Sequence, residues 1–149
     1  MKILVFVSFL LMSVNSFSHC PIEFKEINLC GAVTWIDGPY DGKVSKFQVY
    51  FWEKGDQFHE PISPAYDIDI YSWMIMENGH SHGGPQMSYQ EVSQGIFEVN
   101  DARFFMGGMR GFWEVRIELF NDLNQSISLG ASRVPLSSNG GGHGGGHHH

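Results

Sequence analysis

Polar and apolar positions in this chain alternate; they do not recur at helical spacing. From Ala65 to Met76, one face would carry Ile68, Ile70, Ser72, Met74 and Met76. The other would carry Asp67, Asp69, Tyr71 and Trp73. Trp113 to Leu119 repeats the pattern, with Trp113, Val115, Ile117 and Leu119 on one side. A period of two means one buried and one wet face, as in an antiparallel sheet. Phe47-Gln48-Val49-Tyr50-Phe51-Trp52 reads as a further strand, and Ile27–Ile36, Gln86–Val92, Ile96–Phe104 and Ser126–Val134 complete the set. Turn signals at Asp37-Gly38-Pro39, Lys54-Gly55-Asp56, Asn78-Gly79, Gln94-Gly95, Gly107-Gly108 and Asn121-Asp122 separate them. No window carries a long apolar stripe at helical spacing, and no internal repeat is visible. About seven short strands predict an all-β, two-sheet antiparallel sandwich.

The ends of the chain read differently. Met1-Lys2 is a short positive start, Ile3 to Met12 is apolar apart from Ser8, and small and polar residues follow to Ser18. This is the three-part pattern of a secretory signal, and its apolar stretch is short for a membrane span. Residues 1–18 are therefore expected to be a signal peptide cut after Ser18, with an uncleaved anchor as the alternative. Lipidation of Cys20 is disfavoured by His19 and Phe17 beside it. The domain would run over 19–136. Residues 137–149 hold only Gly, His, Ser and Asn and lack apolar residues to bury, which predicts a flexible tail. The expected location is periplasmic or secreted, with no stable membrane span after cleavage.

Export changes the reading of the two cysteines. In an oxidising compartment Cys20 and Cys30 are expected to pair as a disulfide, with a thiolate metal pair as the alternative. Of the 149 residues, 9 are Lys or Arg, 16 are Asp or Glu, and the formal net charge is -7. Removing Lys2 with the signal takes the charge from -7 to -8. Such a chain is a poor partner for nucleic acid, which needs clustered basic residues. The 8 His and 7 Met are a surplus that bears on chemistry instead.

The informative stretch is Trp73-Met74-Ile75-Met76-Glu77-Asn78-Gly79-His80-Ser81-His82-Gly83-Gly84. Two Met at i, i+2 end a strand, and a Gly-rich loop with His80 and His82 follows. One residue separates those two His, so extended backbone can point both rings the same way. Imidazole and thioether suit copper, and thioether favours Cu(I). A second stretch, Phe104-Phe105-Met106-Gly107-Gly108-Met109-Arg110-Gly111-Phe112-Trp113, brackets a Gly-Gly turn with Met106 and Met109. Loops cluster at the ends of a sandwich, so this turn could face the His80–His82 loop. The competing reading makes Met74 and its neighbours core filler and the His solvated surface residues.

Met74 to His80, then Gly95-Ile96-Phe97-Glu98-Val99, Phe105-Met106, and Gly111-Phe112-Trp113-Glu114-Val115-Arg116-Ile117 together resemble the YtkA-like domain, related to the FixH group. The resemblance covers about Ala65 to Leu119. It implies a small immunoglobulin-like β-sandwich outside the cytoplasmic membrane, associated with copper handling or oxidase assembly. Met76, His80 and Met106 match that pattern by position; His82 shares the loop without matching.

His19 offers a second possibility. If cleavage leaves it first, its amine and imidazole form a nitrogen clamp for Cu(II). In the tail, His143, His147, His148 and His149 form a compositional signal for loose capture of Cu(II), Zn or Ni. An appended purification tag is the alternative, disfavoured by only three terminal His and an intact signal. His59, beside Glu60-Pro61, reads as an exposed loop residue. No Gly-x-Ser-x-Gly, His-Glu-x-x-His or phosphate-cradling loop is present.

The expectation is an exported, non-enzymatic copper-binding protein that sequesters copper or delivers it to a recipient cuproprotein. The alternatives are a structural or adhesive immunoglobulin-like module, and a copper oxidative enzyme built on His19.

Overall fold

The computed structural model describes residues 19–136. Within them lie β1 (Ile22–Phe24), β2 (Leu29–Asp37), β3 (Val44–Glu53), β4 (Asp67–Met76), β5 (Ser81–Gly83), β6 (Tyr89–Ser93), β7 (Ile96–Arg103), β8 (Gly111–Phe120) and β9 (Ser126–Arg133). One sheet has the order β1-β2-β3-β7-β6 and the other β5-β4-β8-β9. All the paired strands are antiparallel. Leaving out β1, these are the A-B-E-D and C′-C-F-G orders of an immunoglobulin sandwich. The fold class is thus as expected, with nine strands among the described residues where about seven were anticipated. The two unforeseen strands, β1 and β5, have three residues each, too few to show alternation.

The segment expected to start a strand at Ile27 differs. Lys25–Ile27 is a 3-10 turn, and Asn28 (φ 54°) takes the left-handed conformation that Asn tolerates. The chain doubles back there, pairing β1 with the start of β2.

Inward residues of both sheets make the core. Phe47, Val49 and Phe51 of β3 meet Ile70, Met74, Trp113, Val115, Ile117 and Leu119 of β4 and β8, all buried. The two alternating patterns read from the sequence are therefore core-facing. Gly130 of β9 closes one side of the sandwich. A Cβ there would lie 2.4 Å from Ile22 Cγ2, so the missing side chain lets β1 pack across β9.

Strand direction places the loops. β2, β4, β7 and β9 finish, and β3, β5 and β8 start, at the same end. Backbone hydrogen bonds tie that end together: Gly42 N–H to Phe104 O (2.7 Å), Glu77 N–H to Arg110 O (3.0 Å) and Val134 N–H to Trp113 O (2.8 Å).

Candidate metal centre

The first half of the centre is the β4–β5 hairpin. Its register pairs Trp73 with Gly83, Met74 with His82 and Ile75 with Ser81. The next step faces Met76 with His80, closed by a Met76 N–H to His80 O bond of 2.8 Å. Gly79 (φ 88°) makes the turn possible, its N–H returning to Met76 O at 3.0 Å. Asn78 Oδ1 accepts from His80 N–H at 3.0 Å. Residues directly opposite share a face, with Cβ atoms about 5 Å apart. Two Met/His pairs, Met76/His80 and Met74/His82, thus occupy successive rows of one face. Met74 is fully buried, as the core reading required; Met76 is half-buried, and both His are exposed.

The second half is the β7–β8 connection. Gly107 (φ 53°) and Gly108 (φ 75°) both have positive φ, as the centre of a type I′ turn requires. Met109 N–H closes it onto Met106 O at 2.7 Å. A turn of this kind brings its flanking Cα atoms within about 7 Å, so Met106 and Met109 are neighbours. Asp41 anchors the turn from the β2–β3 loop, Oδ1 accepting from Met106 N–H at 3.0 Å.

Trp113 joins the halves. Its indole N–H donates to Phe105 O at 3.1 Å, fixing the ring under the Met turn. The His82 ring stands edge-on to it, with centroids 6.0 Å apart and planes at 87°. Trp113 and His82 flank Met74 in one row of the sheet. A cleft of about 680 Å³ opens beside Trp113, with Met106, Met109, Gly111, Tyr40 and Leu136 in its wall. Met76 lies directly across from Gly111 and borders an adjoining depression with Glu77, Asn78 and Arg110. Gly111 is obligatory, since a Cβ there would approach Ile75 O to 2.2 Å.

Charges of both signs border this end: Asp41, Lys43 and Arg133 line the cleft, and Glu77 and Arg110 the second depression. Arg110 pairs with Glu77 at 3.7 Å in the open, and Arg133 lies over the Phe112 ring at 4.3 Å. The Tyr40 hydroxyl donates to Asp37 Oδ1 at 2.5 Å, and that bond pushes its pKa above the ordinary phenol value. Among the described residues no three His, Cys, Asp or Glu side chains form a ligand group. Met106 and Met109 line the cleft and Met76 a separate depression, while neither His80 nor His82 lines either.

The other sequence candidates lie elsewhere. Cys20 and Cys30 are bridged, with Cα atoms 5.4 Å apart, and no free cysteine is present among the described residues. Cys30 is the second residue of β2 and pairs with Trp52. From Cys30 to Asp37 the strand advances about 23 Å, so the bridge holds His19 toward the opposite end from His80 and His82. His59 is corrected: it is half-buried and stacks on Trp52 at 4.3 Å and 20°, its backbone at φ 50°. Asp56 shapes that loop by accepting from Phe58 and Glu60 N–H, each at 2.9 Å. His143, His147, His148 and His149, and the expected signal over 1–18, lie outside the described residues.

Trp113 and Asp41 were not singled out in the sequence as parts of the site. Trp113 was legible at the end of the second stretch and on the apolar face of its strand, without a role in the site, and Asp41 carried no signal. The hairpin had one, since Asn-Gly between extended segments marks a tight turn.

Comparison with family models, with curated proteins and with solved structures finds no match in any of the three.

Proposed function

We propose that this chain is an exported copper-binding β-sandwich that sequesters Cu(I) or passes it to a recipient cuproprotein. Met76, His80, Met106 and Met109 are the donors, and His82 beside Trp113 borders them. The observation that carries the reading is the Met76–Gly111 rung, which sets the strand end that carries Met76 beside the start of β8, two residues after Met109, at one end of the sandwich. Sequence places these segments about thirty residues apart, with no catalytic set between them. Thioether-rich donors favour Cu(I) over Zn or Cu(II), which draw on imidazole and carboxylate. Copper is cargo in this reading, and the chain's part is to present soft donors in a half-buried setting. The signal-like start and the Cys20–Cys30 bridge support export to an oxidising compartment.

The test is Cu(I) competition against a chromogenic chelator in protein whose four tail His are replaced by Ser. This protein should retain one equivalent of Cu(I). The double substitution Met76→Leu, His80→Ala should weaken binding about tenfold or more while leaving the melting curve close to wild type, since Leu conserves volume. Unchanged affinity in the double variant would favour the structural or adhesive module instead.

A further inference from the structure

The cleft beside Trp113 carries a second chemistry. Lys43 lines it from the β2–β3 connection and Arg133 from the end of β9, so separate elements bring two cations to one cleft. The Arg133 guanidinium is seated over the Phe112 ring at 4.3 Å, which steadies it there. Ion pairs among the described residues take Lys54, Arg110 and Arg116, and none takes Lys43 or Arg133. The acids nearby are engaged. Asp41 Oδ1 accepts from Met106 N–H at 3.0 Å, Asp37 Oδ1 accepts from the Tyr40 hydroxyl at 2.5 Å, and Glu77 pairs with Arg110.

The distribution of charge over the chain points the same way. Its formal net charge is -7, yet Lys43, Lys46, Arg103, Arg110 and Arg133 gather at the strand ends around the cleft. Glu26, Glu53, Asp56, Asp67 and Asp122 stand at the other end of the sandwich. Such a separation raises the potential at the cleft relative to the rest of the surface and draws anions toward it. The remaining wall is largely apolar, with Tyr40, Phe112 and Trp113 beside Met106 and Met109. Thioethers pack favourably against aromatic rings, often at the ring edge. The volume of about 680 Å³ falls within the range of about 300–1,000 Å³ usual for small organic ligands.

We propose that this cleft binds an aromatic carboxylate of one or two rings, its carboxylate held by Lys43 and Arg133 and its rings by Trp113, Met106 and Met109. The guanidinium offers a carboxylate two parallel N–H donors, and the ammonium adds a point charge. An inorganic anion would leave the apolar wall unused, and a neutral aromatic would leave both cations without a partner. The inference goes beyond the copper reading and does not depend on it, since it needs no metal and no imidazole.

The test titrates 2-naphthoate and its neutral isostere 2-naphthamide into the full secreted chain, stripped of metal by a chelator, at low ionic strength and neutral pH. Calorimetry should show one equivalent of naphthoate, bound about tenfold or more tightly than the amide. The Met106 and Met109 methyl resonances should move on binding. Lys43→Gln with Arg133→Gln should abolish the preference for the acid and leave the weaker amide binding unchanged. Lys46→Gln with Arg103→Gln removes the same charge from the same end, away from the cleft wall, and should keep the preference. Equal affinity for acid and amide in the native chain overturns the proposal, as does an absence of saturable naphthoate binding or of movement at the two methyls. Equal loss in both double variants overturns it too, because a diffuse field and not the cleft would then be responsible. Melting curves check the fold; if Arg133→Gln unfolds the chain, Lys43→Gln alone should still lower the preference about threefold or more. Cu(I) competition on the same variants reads the copper proposal separately.

Discussion

Met76 and His80 face each other across the β4–β5 hairpin, joined by a 2.8 Å bond from Met76 N–H to His80 O. Alternation on β4 aims Met76 at the core side, and the Asn78-Gly79 turn brings a histidine back opposite it. The next row repeats the pairing with Met74 and His82, the first buried and the second exposed. A soft donor at the margin of a core thus stands beside a solvent-accessible imidazole.

The Met106–Met109 turn depends on backbone freedom. Gly107 and Gly108 have open space where a Cβ would go, so a substitution there acts through φ alone. Gly107→Val, Gly108→Val should destabilise the fold by about 2–6 kcal/mol in urea titration, from two residues each strained by about 1–3 kcal/mol. It should also weaken Cu(I) competition while removing no donor. An affinity equal to wild type would show that the turn geometry does not matter to binding.

Trp113 couples core and centre. Trp113→Phe removes the indole N–H that bonds Phe105 O and leaves that carbonyl without its donor. The cost should be about 1–3 kcal/mol by thermal or chemical unfolding. Cu(I) loading should alter tryptophan emission in the native chain and leave it nearly unchanged in this variant. Equal changes in both would place the metal away from Trp113.

Removing the bridge should separate stability from binding. Cys20→Ser, Cys30→Ser opens a loop with a sequence separation of 10, for a loss of about 2–3 kcal/mol. Cu(I) affinity of the still-folded fraction should be unchanged, because Cys30 lies near the start of β2 and the cleft is lined by residues of the connection that follows its other end. N-terminal acetylation of secreted protein should likewise abolish any Cu(II) clamp at His19 without touching Cu(I) binding. Intact mass of that material decides whether His19 is first, and isothermal titration reads both metals.

Asp56 gives the fold a pH dependence. Phe58 and Glu60 N–H bonds to its carboxylate hold its pKa below the ordinary Asp value. A lowered folded-state pKa means stabilisation that is complete above the unfolded value, about 4, and lost as pH falls through the folded one. Acidification below pH 4 should therefore loosen the loop that carries His59 onto Trp52, seen as a change in tryptophan emission. Asp56→Asn should show the loosened loop already at neutral pH. Identical acid profiles for the two proteins would remove Asp56 from the account.

Much of this protein is set by the local sequence. The period of two in 65–76 and 113–119 made both segments one-sided strands, because a side chain on extended backbone must alternate between faces. Gly-Gly between Met106 and Met109, and Asn-Gly before His80, fixed tight turns through the φ values that only such residues adopt readily. Cys20 and Cys30 had only each other as partners. Tertiary structure decided which of these pieces meet. Hydrophobic periodicity says which face is buried and is silent on which strand lies alongside, so the Met76–Gly111 rung, across 35 positions, could not be read from the pattern. The same holds for Asp41 reaching Met106, for His82 turning to Trp113, and for His59 lying on Trp52. Each is a contact between residues distant in sequence, set by the way two sheets stack and their connections cross. The separation of His19 from His80 and His82 follows from strand direction, which exists only once the sandwich is closed.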